Sequence, residues 1–328
     1  MEKFTMGTDP FTVEIWSRGA CVNDVRMPDR DGNTASVVLG YEREEDRIAG
    51  SAYLGEICGP FANRIAAGGY VIDDETFAPD LNDRGTATLH GGAHGWSRQD
   101  WVMDSADSTL VRLHLDWEDP GFPGPIYAEV DYRLEGWSLT HTVRARAAQP
   151  TVLNVVSHPY FNLSGTSHPI GDHELTVAAS RYLPVDEALI PLPDAPWPVD
   201  NTSFDFRQPR FIGNALASKN PQILASSGLD HALILDGSKW RFAARLHHPG
   251  TGRTLEIHTD YPALQVYTGQ TLNDDHVAHP AGAGIGYAGI ALETEEYPDA
   301  PRRPDFPSVL IRPGQTYTRT TTWQFSVQ

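Results

Sequence analysis

The sequence predicts an all-β protein, a large antiparallel β-sandwich with few short helices. Apolar and polar residues alternate over short segments such as residues 111–117, and this period is typical of a half-buried strand. Glycine and proline number 29 and 25 among 328 residues, and turns rich in both residues separate the alternating segments. A parallel α/β fold needs a helix between successive strands, and the spacing of the segments leaves no room for one.

The alternation predicts a series of strands along the chain. In chain order they cover residues 12–16, 111–117, 127–134, 139–145, 232–235, 241–246, 254–258, 264–267 and 319–327. Turn sequences between them lie at residues 119–124, 135–136, 236–237 and 248–252. Helical periodicity is nearly absent, and the best helical candidate is a short piece near residues 214–219.

The whole chain, residues 1–328, is expected to form a single sandwich domain. The proline-rich stretch 183–209 could serve as a linker, but the composition does not change on either side of it. We therefore interpret it as a long excursion from the same domain. Residues 1–10 are expected to form a loose N-terminal segment.

Charge and cysteine content exclude several classes of protein. The 25 basic and 43 acidic residues give a net charge of −18, which disfavours binding to nucleic acid. No apolar run approaches the roughly 20 residues of a membrane-spanning helix, so no membrane partner is expected. Cys21 and Cys58 form neither a disulfide framework nor a zinc motif. The N-terminus lacks the features of a signal peptide, so a cytoplasmic location is expected.

Neither a cofactor nor a metal is expected from the motifs. The glycines of residues 284–289, GIGYAG, match a dinucleotide-binding pattern, but such a loop must follow a strand and open a helix. His90 and His94 would share one face of a helix and could then bind zinc. Glycines at positions 91, 92 and 95 disfavour that helix.

Four segments place polar groups in apolar or glycine-rich surroundings and are hard to explain as scaffold. They contain the Asn63-Arg64 pair, His90 before two glycines, His158 in an apolar run, and Glu293 after two apolar residues. For any one of them, a hydrogen-bonded structural side chain is the more ordinary interpretation. Their combination in one chain indicates a functional site.

These segments resemble the galactose mutarotases, the aldose 1-epimerase family. The matching motifs follow the family's order from about residue 10 to the end: Ala62-Asn63-Arg64-Ile65, Leu89-His90-Gly91-Gly92, His158 with Tyr160-Phe161-Asn162-Leu163, Leu229-Asp230-His231, Gln265-Val266-Tyr267-Thr268-Gly269, and Leu292-Glu293-Thr294 with Pro298-Asp299-Ala300. The resemblance implies the galactose mutarotase-like supersandwich fold. It also implies interconversion of the α and β anomers of free aldoses such as glucose and galactose, by acid–base ring opening and reclosure and without a cofactor.

The resemblance further implies roles for individual residues. Glu293 would act as general base and His158 as general acid. From the acidic composition of the chain we further predict that Glu293 is ionised and His158 protonated in the resting enzyme, because nearby carboxylates raise the pKa of a histidine. The residues expected to bind the sugar are Asn63, Arg64, His90, Asp230, Gln265 and Tyr160. The partner is a small monosaccharide, and the chain is expected to be a monomer or a homodimer. Pro60 and Glu295 stand where many members of the family have Arg and Gln.

Three alternative functions remain open on the same fold. A hexose-phosphate 1-epimerase would need a cationic clamp, for which Arg64, Arg84 and Arg98 are candidates. A glycoside hydrolase would pair Glu293 with Asp230 or Glu295. A non-catalytic sugar-binding module would not need the two proton-transfer groups His158 and Glu293.

Overall fold

The computed structural model describes residues 1–273, 277–278 and 285–328, and strands dominate this part of the chain. Within it the α-helices are three short pieces, α1 (Glu44–Ala49), α2 (Ile212–Leu216) and α3 (Pro221–Ser226). Single turns of 3-10 helix occur at Trp96–Arg98, Ile170–Asp172 and Ala300–Arg302. No helix in the described ranges is long and apolar enough to cross a membrane.

The strands are numbered in chain order. The first half of the chain contains β1 (Lys3–Thr8), β2 (Phe11–Trp16), β3 (Cys21–Pro28), β4 (Thr34–Ser36), β5 (Ile57–Cys58), β6 (Arg64–Ala66), β7 (Tyr70–Ile72), β8 (Glu75–Phe77), β9 (Ala87–Leu89), β10 (Val102–Ala106), β11 (Leu110–Asp119), β12 (Phe122–Glu135), β13 (Ser138–Ala147), β14 (Thr151–Val152), β15 (Val156–Ser157) and β16 (Tyr160–Phe161). The second half contains β17 (Glu174–Val177), β18 (Ala179–Tyr182), β19 (Trp197–Pro198), β20 (Arg210–Phe211), β21 (Asp230–Leu235), β22 (Arg241–His247), β23 (Arg253–Thr259), β24 (Ala263–Tyr267), β25 (Ile290–Glu295), β26 (Leu310–Ile311) and β27 (Tyr317–Val327).

Two large antiparallel sheets organise these strands. The larger has nine strands in the order β10-β11-β12-β13-β27-β23-β22-β17-β20, and the other has six in the order β16-β25-β24-β21-β18-β19. A four-stranded sheet, β1-β2-β3-β4, and the small pairs β5–β15, β6–β9, β7–β8 and β14–β26 complete the pattern. The predicted all-β antiparallel fold is thus confirmed.

The hydrophobic core lies between the nine-stranded and six-stranded sheets. Phe161 of β16 packs edge-on against Trp323 of β27 with ring centroids 5.4 Å apart, and burying each such side chain stabilises the fold by roughly 1.5–3 kcal/mol. The Oγ1 atoms of Thr294 on β25 and Thr321 on β27 also meet across this layer at 2.7 Å. Because successive residues of a strand point to opposite faces, Glu293 and Glu295 of β25 lie on the face turned away from it.

The predicted strands are all present, and the differences lie in segments without a clear period. The expectation of a loose segment at residues 1–10 is wrong, since β1 pairs with β2 over six residues and buries Met6 completely. The short helix α1, whose first turn is acidic, was not predicted. The helix predicted near residues 214–219 corresponds to α2, which ends at Leu216. A separate helix, α3, begins at Pro221 and is capped by Asn220. The single-domain organisation stays a prediction.

The dinucleotide-like segment leads into a strand. Gly284, its first residue, lies outside the described residues. Residues from Ile285 onwards form an isolated bridge and a turn before β25 begins at Ile290. A helix that could hold a pyrophosphate at its N-terminus does not follow.

Candidate active site

A cleft of about 650 Å³ opens on the outer face of the six-stranded sheet. Its walls come from the ends of β6 and β9, the segment between β15 and β16, and the sheet itself. All eight residues proposed from the sequence line this one cleft: Asn63, Arg64, His90, His158, Tyr160, Asp230, Gln265 and Glu293. Side chains far apart in the chain are therefore brought together by the fold.

The floor of the cleft is formed by polar residues on neighbouring strands. Gln265 of β24 lies directly opposite Glu293 of β25 in the ladder. Asp230 begins β21 on the other side of β24, and Gln265 donates from Nε2 to Asp230 Oδ1 at 2.6 Å. These three side chains form a polar row, buried at Gln265 and Glu293 and partly buried at Asp230, that can accept and donate hydrogen bonds.

A second wall is the β6–β9 strand pair, where Asn63 precedes β6 and His90 follows β9. Both residues adopt left-handed backbone conformations, with φ of 59° and 53°, which cost roughly 1–3 kcal/mol each and are typical of functional sites. His90 N–H donates to the Asn63 carbonyl at 3.1 Å, and Asn63 N–H donates to His90 Nδ1 at 3.3 Å. The second bond leaves the proton of the neutral imidazole on Nε2.

The two glycines after His90 allow this corner to pack tightly on the protein itself. A Cβ on Gly91, where φ is +82°, would stand 2.1 Å from the Gly59 carbonyl oxygen. A Cβ on Gly92 would stand 2.0 Å from Asp80 Oδ1. The glycines thus fix the position of His90 through close approach of backbone to protein atoms.

His158 and Glu293 form the central contact of the cleft. The backbone of His158 is fixed on both sides, because its N–H donates to the Glu56 carbonyl at 3.0 Å and its carbonyl accepts from Gly55 N–H at 2.9 Å. His158 Nε2 lies 3.3 Å from Glu293 Oε1, and both side chains are buried. In the described part of the chain, His158 Nδ1 has no hydrogen bond to another residue.

Burial drives this pair towards its uncharged forms. It lowers the pKa of His158 to about 4, and it raises the pKa of Glu293 well above its usual value, helped by the negative charge of Asp230 and opposed by Arg64. Both shifts oppose the sequence-based expectation of an ionised Glu293 and a protonated His158. Desolvation outweighs the general acidity of the chain, which is only a distant field.

Arg64 and Arg84 line the cleft, but the phosphate clamp that the hexose-phosphate alternative would need does not form. Arg64 donates from Nε to Asp83 Oδ2 at 2.7 Å, and Arg84 binds the other oxygen of Asp83 at 3.2 Å. Arg98 donates to the Gly50 carbonyl and lies over the ring of Tyr53. Because two of the three cations share one carboxylate, they are poorly arranged to hold a phosphate dianion.

Glu295 does not take the place that a hydrolase would require. Its side chain is fully buried and does not line the cleft. Asn63 Nδ2 lies 3.3 and 3.4 Å from its two oxygens. A carboxyl group in this position cannot reach a glycosidic bond, which removes the pairing of Glu293 with Glu295.

Two aromatic residues of the cleft were not proposed as site residues. Tyr53 packs on His90 with ring centroids 4.6 Å apart, and Tyr267 lies edge-on to Tyr160 at 5.9 Å. Tyr267 belongs to one of the motifs, and its two-residue spacing from Gln265 on β24 signals a common face. Tyr53 stands alone in the sequence, and no pattern in the chain could have identified it.

His90, His158 and Glu293 also have the composition of a metal site, since one ligand atom from each lies within 4.8 Å of the others. A metal would have to bind the Nε2 lone pair of His90. Because His90 Nδ1 accepts a hydrogen bond from Asn63 N–H, the neutral ring carries its proton on Nε2, and no lone pair is free there. These three residues are thus suited to proton transfer and hydrogen bonding rather than to holding a cation. His94, the other residue of the zinc-like spacing, is exposed whereas His90 is buried.

Comparison with known proteins identifies the family. The family model for aldose 1-epimerase matches residues 2–324. The chain belongs to the aldose 1-epimerase family. It is 40% identical to the galactose mutarotase of Bos taurus, with 100% of this chain and 94% of that protein covered, and 35% identical to the aldose 1-epimerase of Escherichia coli K12, over 95% and 91% of the two chains.

Solved structures agree with this aldose 1-epimerase assignment. The galactose 1-epimerase of Lactobacillus acidophilus superposes with a TM-score of 0.84 at 30% identity and covers 99% of this chain and 94% of its own. An aldose epimerase homologue from C. elegans superposes with a TM-score of 0.90 over 99% of both chains, and at 24% identity it supports the fold. The chain is therefore an isomerase with the galactose mutarotase-like fold.

Proposed function

We propose that this aldose 1-epimerase interconverts the α and β anomers of a free aldose with Glu293 as general base and His158 as general acid. The observation that carries these roles is the 3.3 Å contact between His158 Nε2 and Glu293 Oε1 at the floor of the cleft. In a pyranose, the C1 hydroxyl and the ring oxygen O5 are bonded to the same carbon. Two adjacent proton-transfer atoms can therefore serve those two adjacent oxygens.

The reaction needs two coupled proton transfers. Glu293 takes the proton of the C1 hydroxyl, O1 becomes a carbonyl oxygen, and the C1–O5 bond breaks as His158 Nε2 delivers a proton to O5. Rotation about C1–C2 then presents the other face of the aldehyde to O5. Ring closure reverses both transfers, so that each group is restored and the product is the other anomer.

For these reaction steps, His158 and Glu293 must together hold one titratable proton. A neutral imidazole beside a protonated carboxyl carries the same number of protons as an imidazolium beside a carboxylate. The shifted pKa values favour the first form, and transfer of that proton across the 3.3 Å contact produces the reactive form. Arg64 opposes the rise in the pKa of Glu293 and so favours the carboxylate.

The remaining cleft residues are suited to holding the sugar hydroxyls. Asp230 offers carboxylate oxygens, and burial raises its pKa while Arg64 and Gln265 oppose that rise. His90 stays neutral because burial holds its pKa well below the usual value, so its Nε2–H can donate to a sugar oxygen. Tyr160 and Tyr267 present ring faces and edges on which C–H groups of the sugar can pack.

Glucose and galactose are the proposed substrates, as the galactose mutarotase relatives suggest for galactose. The reacting atoms C1, O1 and O5 are common to all aldoses. We also propose that the enzyme works in the cytoplasm, where its two free, buried cysteines, Cys21 and Cys58, suit a reducing environment. The functional unit is proposed to be a monomer or a homodimer.

Polarimetry on freshly dissolved α-D-glucose and α-D-galactose tests the proposal. The enzyme should accelerate the decay of rotation without changing its final value. An unaccelerated decay for every common free aldose would contradict the activity. Release of new reducing ends from an oligosaccharide would instead favour hydrolysis.

A further inference from the structure

A second carboxyl group lies behind the proposed base and faces no solvent. Glu295 follows Glu293 by two residues on β25, so the two side chains share a face of the sheet. Glu295 is 0% exposed. Its neighbour across the ladder is Ala263 of β24, whose small side chain leaves space for the carboxyl group.

The surroundings of Glu295 supply amides and further acids. Asn63 Nδ2 contacts both carboxyl oxygens, and the Asn154 side chain is a second hydrogen-bond partner. The charged groups facing it are Glu293 on its own strand and Asp230 on β21. Strand β15, which also packs against β25, contributes Val156 and Ser157, and among the described residues no Lys or Arg forms an ion pair with Glu295.

The next residue shows how this protein accommodates a charged carboxylate in its interior. Glu296 is also buried, at 4% exposure, and Arg319 contacts its Oε1 from Nη2 at 2.6 Å and from Nε at 2.7 Å. An isolated buried carboxylate costs several kcal/mol, and such groups normally keep their proton instead. Glu296 has a cation, whereas Glu295 has another carboxyl group two residues away.

We propose that Glu295 is a positioning residue that keeps its proton at neutral pH and, as a neutral acid, holds the Asn63 amide beside the sugar site. The backbone of Asn63 in turn makes two hydrogen bonds to His90. Glu295 therefore acts on the cleft through Asn63 and His90. Burial, and then the charge of Glu293, raise the pKa of Glu295 well above its usual value. A neutral Glu295 exerts no repulsion on Glu293, which can then titrate as the catalytic pair requires.

The charge state of Glu295 is tested without any activity assay. An infrared difference spectrum between the wild type and Glu295→Gln at pH 7 should show the loss of one protonated carboxyl band. Loss of a carboxylate band instead would overturn the proposal. Glu296→Gln is the matched control and should lose a carboxylate band, because Arg319 pairs with that residue.

The positioning role is tested by separating KM from kcat. This part rests on the proposed function, because it assumes that Asn63 contacts the sugar. Glu295→Gln keeps an acceptor for Asn63 and should change kcat/KM by less than about twofold. Glu295→Met removes the acceptor and should raise KM by about tenfold, the value of one buried hydrogen bond, with little effect on kcat. Asn63→Ala combined with Glu295→Met should be no worse than Asn63→Ala alone.

The pH profile separates the proposal from a purely structural role. In Glu295→Gln, the midpoints of the acid and alkaline limbs of the rate profile should stay within about 0.3 pH unit of the wild-type values, because a neutral group replaces a neutral group. A fall of the alkaline limb by about one unit or more would show that Glu295 is ionised in the wild type and repels Glu293. If neither protein accelerates mutarotation, the proposed function fails, while the infrared result still decides the charge of Glu295.

Discussion

Two clusters in this molecule contain the same chemical groups, two histidines and one carboxylate, yet their hydrogen bonds differ. The cleft cluster consists of His90, His158 and Glu293, and the surface cluster of Asp172, His173 and His248. In each, the ligand-type atoms lie within 4.8 Å of one another. Composition and proximity therefore do not distinguish them, and the hydrogen bonds to the rings do.

The surface cluster uses all of its ring nitrogens. Leu163 N–H donates to His173 Nε2 at 2.9 Å, and Thr251 N–H donates to His248 Nδ1 at 3.2 Å. The other nitrogens, His173 Nδ1 and His248 Nε2, must then carry protons, and they donate to Asp172 at 3.0 and 3.3 Å. The cluster is therefore a closed hydrogen-bond network in which each ring nitrogen already has a partner.

In the cleft cluster, by contrast, not every ring nitrogen has a hydrogen-bond partner. His158 Nε2 faces Glu293 and the cavity, and Nδ1 has no other residue as partner within the described ranges. On the proposed function, the group that reacts is the one whose ring nitrogens the fold leaves free beside a cavity. The difference between the clusters also predicts which substitutions should abolish activity and which should only lower stability.

The largest effect is expected for Glu293→Gln in the cleft cluster. The substitution keeps the shape and removes the base, so kcat should fall by about 10²–10⁴-fold, measured by polarimetry on α-D-galactose. Asp172→Asn makes the same chemical change in the surface cluster and should alter kcat by less than about twofold. Retention of more than about a tenth of the wild-type rate in Glu293→Gln would remove Glu293 from its role.

A smaller effect is expected from Asp230→Asn, which keeps the size of the side chain but weakens its acceptor. The bond from Gln265 and the proposed bonds from sugar hydroxyls lose a charged partner, worth about tenfold in KM. Initial-rate kinetics with a series of aldoses measures this change. An unchanged KM accompanied by a large loss of kcat would place Asp230 in the chemistry rather than in binding.

The pH profile should reflect the titration of the cleft pair. Rate should be lost on the acid side as the pair takes a second proton near the lowered His158 pKa of about 4, and on the alkaline side as it loses its last proton, well above the usual pKa of a carboxyl. Activity should therefore be flat from about one pH unit above the His158 pKa until the carboxyl loses its proton. An acid limb near 6.5 would show an unshifted histidine and contradict the role of burial.

The smallest effect concerns stability at the surface cluster. The hydrogen bond from His173 lowers the pKa of Asp172 to about 2, so the folded state binds the proton of Asp172 less tightly than the unfolded state does. The stabilisation is present above the unfolded pKa of about 3.9 and is lost as pH falls towards 2. Since this carboxylate is half-exposed, it contributes at most about 1 kcal/mol.

Urea unfolding of the wild type and Asp172→Asn measures this contribution. The midpoints should differ at pH 6 and converge near pH 2.5. Equal midpoints at both pH values would show that the surface cluster is a passive arrangement of side chains.

Much of the fold followed from periodicity, and the exceptions have physical reasons. The alternation at residues 111–117 locates β11 because one face of that strand is buried and the other is exposed. Strand β1 was missed because only Met6 of its residues is fully buried, so its sequence carries no clean period. Helix α1 was missed because three acidic residues open it and its buried residues include Asp46 and Arg47, which pattern reasoning assigns to the surface.

The site could be assembled from the sequence because its polar residues stand out against apolar or glycine-rich neighbours. That contrast singled out Asn63, Arg64, His90, His158 and Glu293, whereas Tyr160, Asp230 and Gln265 followed only from the resemblance to the aldose 1-epimerases. The structure places all eight in one cleft. The charge states of His158 and Glu293 could not be predicted, because they depend on how completely the six-stranded sheet and the β6–β9 strand pair exclude water from the cleft. Tyr53 could not be predicted either, since a lone aromatic residue is usually part of a core.

The most direct test of the open cluster against the closed one compares His158→Asn with His248→Asn in the same polarimetric assay. Each replaces one imidazole by an amide, and a circular dichroism spectrum establishes that both variants are folded. We predict a loss of about 10²-fold or more in kcat for His158→Asn and less than about twofold for His248→Asn. Equal losses in the two folded variants would contradict the claim that the unused valences of the cleft cluster carry the reaction.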